Sequence, residues 1–280
     1  MQSWGVRAYD RAKPWREPAI PPMGWIRNNT LLEVTNSLGL STNRQLILDA
    51  GDSASYTSGQ SWLDRSGNGF DFFLGATGAA AADDPTFNGT AGAIRSTEYF
   101  SGDGGDNFRY DTTNETWMEN IHKNSAVFTL LAWMYLNTTT GVQSIAGTNG
   151  GGGAETGFQF DFLGTNTLRI NIKNAGTTVL TVLTTATISD DVWTFVAVAL
   201  DEAAATGTLQ MNATQESFTS TYTSPSALAA SQTMEICARG NGVQQIESGS
   251  RVAMFGAWSS KLTDAQLTSI YTATRSRFGV

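Results

Sequence analysis

The sequence predicts an all-β protein: an antiparallel β-sandwich with an extended N-terminal arm and one C-terminal helix. Three observations carry this. Charged residues make up only 15% of the 280 positions while glycine occurs 29 times, a balance that suits strands and turns over helices. From residue 44 onward, short β-prone runs alternate with turn clusters and no long helical pattern intervenes until the end of the chain, as in sheets packed face to face. Residues 251–279 then read as an apolar strand followed by a capped helix.

Residues 1–43 stand apart. Four of the six prolines (Pro14, Pro18, Pro21, Pro22) fall here together with Trp4, Trp15 and Trp25 and the basic residues Arg7, Arg11, Lys13, Arg16 and Arg27. Proline at this density disfavours helix and sheet and favours an extended path. Tryptophan and arginine are the anchors that interfaces favour. The expected domains are therefore an attachment arm at 1–43, with Trp4, Arg7, Arg11, Trp15, Arg16 and Trp25 as its partner-binding residues, and a β-domain at 44–280.

Within the β-domain, residues 45–74 read as a strand, a Gly/Ser loop with Trp62, a Ser-Gly-Asn-Gly turn at 66–69 and a second strand. Residues 98–110 read as two short strands around a glycine-rich bend, and 113–122 as a short helical turn. The runs 127–136 (VFTLLAWMYL) and 192–200 (VWTFVAVAL) are the most continuously apolar, and both are expected to be central strands. Shorter runs between 142 and 238 complete the series. At the end, Thr263 and Gln266 form a capping box ahead of Leu267, Ile270, Tyr271, Thr274 and Phe278 at helical spacing, with Arg275 and Arg277 expected on the polar side.

A net charge of −8 argues against a nucleic-acid or anionic-membrane binder, since phosphate-rich partners need a basic face. No run approaches the ~20 apolar residues of a membrane span, and the N-terminus lacks the pattern of a secretory signal. Assembly in a host cytoplasm is expected. Cys237 is the one cysteine. It has no intrachain disulfide partner and is read as an inert strand residue.

Taken in order, LILDAGDSASY, SWLDRSGNGFDF, YFSGDGGDNF, FTLLAWMYL, DVWTFVAVALD and RVAMFGAWSSKLTDAQLTSIY resemble the concanavalin A-like jelly rolls of the laminin-G type found in bacterial and phage proteins. The likeness covers residues 44–280. It implies a jelly-roll fold and leaves function open, since this fold serves lectins, glycanases, adhesins and structural modules.

Retaining glycanases of that family carry alternating acids, E-x-D-x-x-E, because the chemistry needs two carboxylates about 5 Å apart. The nearest stretch here is Gln159-Phe160-Asp161, whose first position is an amide that cannot transfer a proton, and Asp161 reads as a solvated strand residue. No catalytic residue is assigned. Asp103 and Asp106 in GDGGD offer oxygen ligands of the kind calcium prefers, and the laminin-G resemblance implies calcium sites in the family; glycine-rich turn chemistry is the favoured use, and no cofactor is assigned. The glycine run 150–153 lacks the GK[ST] of a phosphate loop and reads as a hairpin tip. His122, the single histidine, has no companions for a metal site or a triad. Of the aromatics, Trp62 and Trp117 lie in loop-like context and are the candidate carbohydrate-binding residues.

These readings favour a non-enzymatic structural protein of a bacteriophage particle: a capsid decoration (head) protein attached through its N-terminal arm. Its partners would be other virion proteins, the major capsid protein or tail proteins, and copies of itself. The alternative is a phage tail or adhesin component whose jelly roll binds host-surface carbohydrate, and a further alternative is a bacterial lectin or glycanase.

Overall fold

This computed structural model describes residues 28–138, 140–225 and 227–280. The chain runs α1 (Leu31–Ser37), β1 (Arg44–Asp49), β2 (Ser61–Trp62), β3 (Phe72–Leu74), β4 (Thr86–Asn88), β5 (Tyr99–Ser101), β6 (Phe108–Tyr110) and α2 (Thr116–Asn120). It continues through β7 (Val127–Tyr135), β8 (Gln143–Gly147), β9 (Gly157–Phe162), β10 (Leu168–Asn174), β11 (Thr177–Leu183) and β12 (Trp193–Asp201). The last elements are β13 (Thr206–Met211), β14 (Thr214–Phe218), β15 (Glu235–Ile236), β16 (Arg251–Trp258) and α3 (Asp264–Phe278).

Two antiparallel sheets form a jelly-roll sandwich. The first has the order β14-β13-β12-β7-β16-β5-β4, with β1 also paired to β16, and the second has the order β11-β10-β9-β8-β15-β6-β3-β2. The apolar runs at 127–136 and 192–200 are central, as expected, because both of their faces are buried. Phe128, Leu130, Ala132 and Met134 of β7, with Val196, Val198 and Leu200 of β12, point into the core between the sheets. The alternate residues Leu131, Trp133, Phe195, Ala197 and Ala199 point outward into a second core under the helices. A register shift in β16 between Val252 and Met254 places Ala253, Met254 and Trp258 in that outer core while Val252, Phe255 and Ala257 face inward.

α3 begins at the Thr263/Gln266 capping box and ends on Gly279 at φ 74°, the left-handed position that glycine takes without strain. It buries Leu267, Ile270, Tyr271, Thr274 and Phe278. It lies on the outer face of the first sheet, where Trp133 donates from Nε1 to Thr274 Oγ1 at 2.9 Å. Arg277 does not face solvent: it is 3% exposed and its Nη1 is 2.7 Å from Asp49 Oδ1.

The expected arm is corrected where it is described. Residues 31–37 are helical, not extended; Leu31 of this helix and Leu40 beyond it pack into the outer core. All the prolines of the N-terminal stretch precede this helix, and Thr30 with Glu33 forms a second capping box. Trp4, Arg7, Arg11, Trp15, Arg16 and Trp25 lie outside the described residues.

Candidate functional site

The stretch Gln159-Phe160-Asp161, the nearest to alternating acids, lies on β9 of the second sheet. Along β9, Phe158, Phe160 and Phe162 enter the core, so Gln159 and Asp161 fall on the opposite face. Register sets Arg169 of β10 directly across from Asp161, and Asn171 across from Gln159. Arg169 grips Asp161 with two bonds, Nε to Oδ1 at 2.9 Å and Nη2 to Oδ2 at 2.7 Å. A ladder of amides continues the row: Asn171 Nδ2 donates to Gln159 Oε1 at 2.9 Å, Thr181 Oγ1 to Asn171 Oδ1 at 2.7 Å, and Gln159 Nε2 to Asn149 Oδ1 at 2.7 Å.

This face is closed. Every residue of β9 is buried, and Asp161, expected as a solvated residue, is fully so. Burial pushes its carboxyl pKa up, opposed by the hydrogen bonds and charge of Arg169 and by Arg239. The chain through Arg239 lies so near Gly147 of β8 that a Cβ there would come within 2.8 Å of the Arg239 Cα. Gly147→Ala is therefore expected to cost about 1–3 kcal/mol by overpacking against backbone, read as a lower urea midpoint. A second buried carboxylate, Glu235 of β15, stands on the far side of Gly147 in register with Gln159, two strands or roughly 9.5 Å away. Arg109 is 3.1 Å from it. Each acid on this face thus has its own arginine, and Gln159 occupies the position where a partner acid would lie nearest Asp161.

One accessible concavity lies at the end of the sandwich. This cleft of about 640 Å³ opens between α2, the loop at Phe70 and the ends of β1, β7 and β16. Trp117 on α2 and Phe70 form its aromatic wall, with ring centroids 6.4 Å apart and planes at 33°. Trp117 is held there because α2 buries Trp117 and Met118 together. Glu115 at the rim accepts a bond from Tyr110 Oη at 2.7 Å, and Lys123 lies 3.7 Å from Glu119.

Of the two tryptophans read as carbohydrate contacts, Trp117 borders the cleft but is itself 7% exposed and packed in the core between the sheets. Trp62 is fully buried, with its ring 4.9 Å from Phe100 and 4.8 Å from Phe108; a sugar platform needs an open ring face, so Trp62 is a core residue. It looked loop-like because β2 is two residues long between turn clusters.

Asp103 and Asp106 act as turn clamps. Asp103 Oδ1 accepts from Gly105 N at 3.0 Å, and Asp106 Oδ2 from Asp103 N at 3.0 Å. Among the described residues no group of three or more His, Cys, Asp or Glu side chains converges as a metal site. Burial pushes the Asp106 pKa up to about 7, with Asp103 and Asp83 adding repulsion and the Asp103 backbone bond opposing. The folded state then holds this proton more tightly than the unfolded chain, so the stabilisation is full below about pH 4 and is lost as pH rises through about 7. Asp106→Asn should accordingly gain stability relative to the parent between pH 4 and pH 8, measured as the difference in urea midpoints. Calcium bound at this loop would reverse the sign, because the ion would favour the carboxylate and Asn would lose it.

His122 is buried, with Nε2 2.9 Å from the Leu228 carbonyl, and burial holds its pKa down. Cys237 is buried and its thiol is pushed upward by desolvation. Among the described residues, no helix is long and apolar enough to cross a membrane.

The sequence pattern of the concanavalin A-like lectin/glucanase superfamily, in its laminin-G type, matches residues 103–268. That is more than half of the chain, and the chain belongs to this superfamily. Among solved structures, the binding domain of botulinum neurotoxin serotype D aligns over 84% of this chain and 52% of its own length, with 12% identity and a TM-score of 0.59. The type C neurotoxin structure, whose cell entry depends on two ganglioside molecules, aligns over 85% and 53% with 13% identity and a TM-score of 0.59. Trypanosoma rangeli sialidase in complex with sialic acid aligns over 84% and 33% with 11% identity and a TM-score of 0.56. At such identities the likeness is one of fold. The chain spans about half the length of the neurotoxin structures and a third of the sialidase. No curated protein sequence matches the chain.

Proposed function

We propose that this chain is a non-enzymatic structural protein of a bacteriophage particle, a capsid decoration protein that presents its jelly roll outward. The observation that carries the non-enzymatic part is the closed face of the second sheet. Asp161 is fully buried and gripped by a two-bonded arginine, an amide stands at the neighbouring position, and the Arg239 backbone packs against Gly147 of the next strand. A glycoside there would have neither access nor a second acid at about 5 Å. The particle setting is supported by charge and composition. Residues 1–27 carry five basic and two acidic side chains with four prolines and three tryptophans, which leaves −11 on the rest of the chain. Such a segment suits attachment to a neighbouring subunit by complementary charge and aromatic anchors. Deleting residues 1–27, which leaves the Thr30 cap of α1 intact, should abolish incorporation into particles. Incorporation at the normal level would overturn the attachment role.

One observation favours a second reading, a tail or adhesin component that binds host-surface carbohydrate. The cleft beside α2 is open and mixed in polarity, with the half-buried ring of Phe70 at its edge and the exposed Thr116 and Asn120 beside it, a combination that sugar sites use.

A further inference from the structure

We propose that the outer face of the first sheet carries a self-complementary docking patch for a second copy of this chain. In it, Arg251 of each copy pairs with Asp190 of the other about a two-fold axis beside Tyr135. The inference is independent of the particle and carbohydrate readings, since it concerns only contact between two copies. α1 and α3 pack on this face but leave a row at the strand ends, where Tyr99 of β5, Arg251 of β16 and Tyr135 of β7 are each half-buried.

The row is preformed. Register places Arg251 across from Tyr135, and Tyr135 across from Trp193 of β12. The guanidinium carbon lies 4.6 Å from the centre of the Tyr99 ring and 4.1 Å from that of Tyr135, so the cation is held between two aromatic rings. Both tyrosines pack against the buried Trp193, with ring centroids 5.9 and 5.7 Å away. A side chain fixed in this way loses little freedom when a partner docks. Tyrosine and arginine are also residue types on which interface energy concentrates.

The partner follows from charge. Arg65, Arg109, Arg169 and Arg277 each have a carboxylate within ion-pair distance. Among the described residues Arg251 has none, and its guanidinium makes no hydrogen bond, so its donors are unused. On the other side of Tyr135 stand two exposed acids, Asp190 and Asp191. Asp191 is engaged: it accepts from Tyr135 Oη at 3.0 Å, and its backbone N–H is bonded to the Leu136 carbonyl at 2.8 Å. The Asp190 carboxylate has no such partner among the described residues. One patch thus carries an unpaired cation and an unpaired acid on opposite sides of a tyrosine, with Val192, 40% exposed, beside the acids. A half-turn brings each cation onto the other copy's acid, which is the condition for an isologous contact. Two chains of net charge −8 repel each other in general, so a contact that matches cation to acid twice is favoured over other approaches.

The test is sedimentation velocity of the full chain from about 5 to 500 μM, where a contact of modest size should show a monomer–dimer equilibrium. Arg251→Glu and Asp190→Arg should each weaken association about tenfold or more, because each sets like charges together twice about the axis. An equimolar mixture of the two variants should dimerise as well as the parent, since both charge pairs between them are again opposite in sign. Asp190 is exposed, so Asp190→Arg should keep the parent melting temperature, and recovery in the mixture requires that both variants be folded. A parent that stays monomeric over this range would overturn the proposal. A dimer that either substitution leaves intact would overturn the patch, and variants that stay apart when mixed, each with the parent melting temperature, would overturn the two-fold pairing. None of these outcomes bears on particle incorporation or sugar binding, so failure here is distinct from failure of those readings.

Discussion

Arg277→Ala should lower the free energy of unfolding by about 3–5 kcal/mol, the cost of stripping one partner from a buried ion pair. The guanidinium lies under α3 and spends its donors on three acceptors, one on β1 and two in the loop before β5. Nη1 reaches Asp49 Oδ1 at 2.7 Å, Nε the Arg95 carbonyl at 3.0 Å and Nη2 the Glu98 carbonyl at 3.3 Å. Asp49 is fully buried and uses its other oxygen to receive Leu31 N at 2.8 Å. The pair therefore joins the last strongly packed turn of α3 to β1 and to the first turn of α1. A Cβ at Gly51 would stand 2.5 Å from Nη2, so the backbone is shaped around the guanidinium as well. Without Arg277, Asp49 is left charged, buried and short of its strongest partner. Arg277→Lys should not restore stability, because a point ammonium cannot bond in three directions at once with this planar geometry. The double variant Arg277→Met with Asp49→Leu should cost less than either single change, since it removes the orphaned charge. Urea denaturation of the four proteins gives the cycle, and a single-variant loss below about 1 kcal/mol would refute the clamp.

The parts of this fold that the sequence discloses are those whose signals are local. β7 and β12 are legible because burial on both faces turns them into nearly unbroken apolar runs. α3 is legible because Thr263, Gln266 and its apolar stripe lie within one short window. α1 carries the same box, Thr30 with Glu33, yet the prolines just before it dominate the reading of that stretch. The role of Arg277 is not local: its partner Asp49 lies 228 positions away, and a basic residue in the last turn of a helix ordinarily faces water. Trp62 is hidden for a related reason, since a two-residue strand has no periodicity and only the docking of Phe100 and Phe108 makes it core.

The candidate site divides in the same way. Gln159-x-Asp161 is recognisable as the place where the family's acids would stand, and the amide already argues against acid chemistry. That the Arg239 backbone packs against Gly147 depends on a loop held by the bonds of Arg239 N to the Val243 carbonyl and of Ser144 N to the Gln244 carbonyl, which follow no repeat. The cleft could be approached from the sequence only through Trp117. Asn120 and Lys123 adjoin Trp117 on and just after α2, whereas Phe70 comes from a separate segment and meets them through the packing of α2 against the end of the sandwich.

The second large effect is expected at Trp258, the end of β16. Trp258→Ala should cost about 3–5 kcal/mol by leaving a cavity in the outer core. The indole is fully buried, donates to the Leu40 carbonyl at 2.8 Å, and lies over Gly256, where a Cβ would meet the ring at 3.0 Å. Trp258→Phe keeps most of the volume and orphans the carbonyl, so it should cost less, about 1–3 kcal/mol. The manner of unfolding is as informative as the amount. β16 serves both cores at once, with Phe255 and Ala257 turned toward the second sheet and Trp258 toward the helices. Loosening the helical layer must therefore disturb the strand that β1, β5 and β7 all pair with. Trp258→Ala should shift one cooperative transition, seen alike by far-ultraviolet circular dichroism and by tryptophan fluorescence. If instead helix signal melted first while the sandwich kept the parent midpoint, α1 and α3 would be an appended layer and not part of the same folding unit.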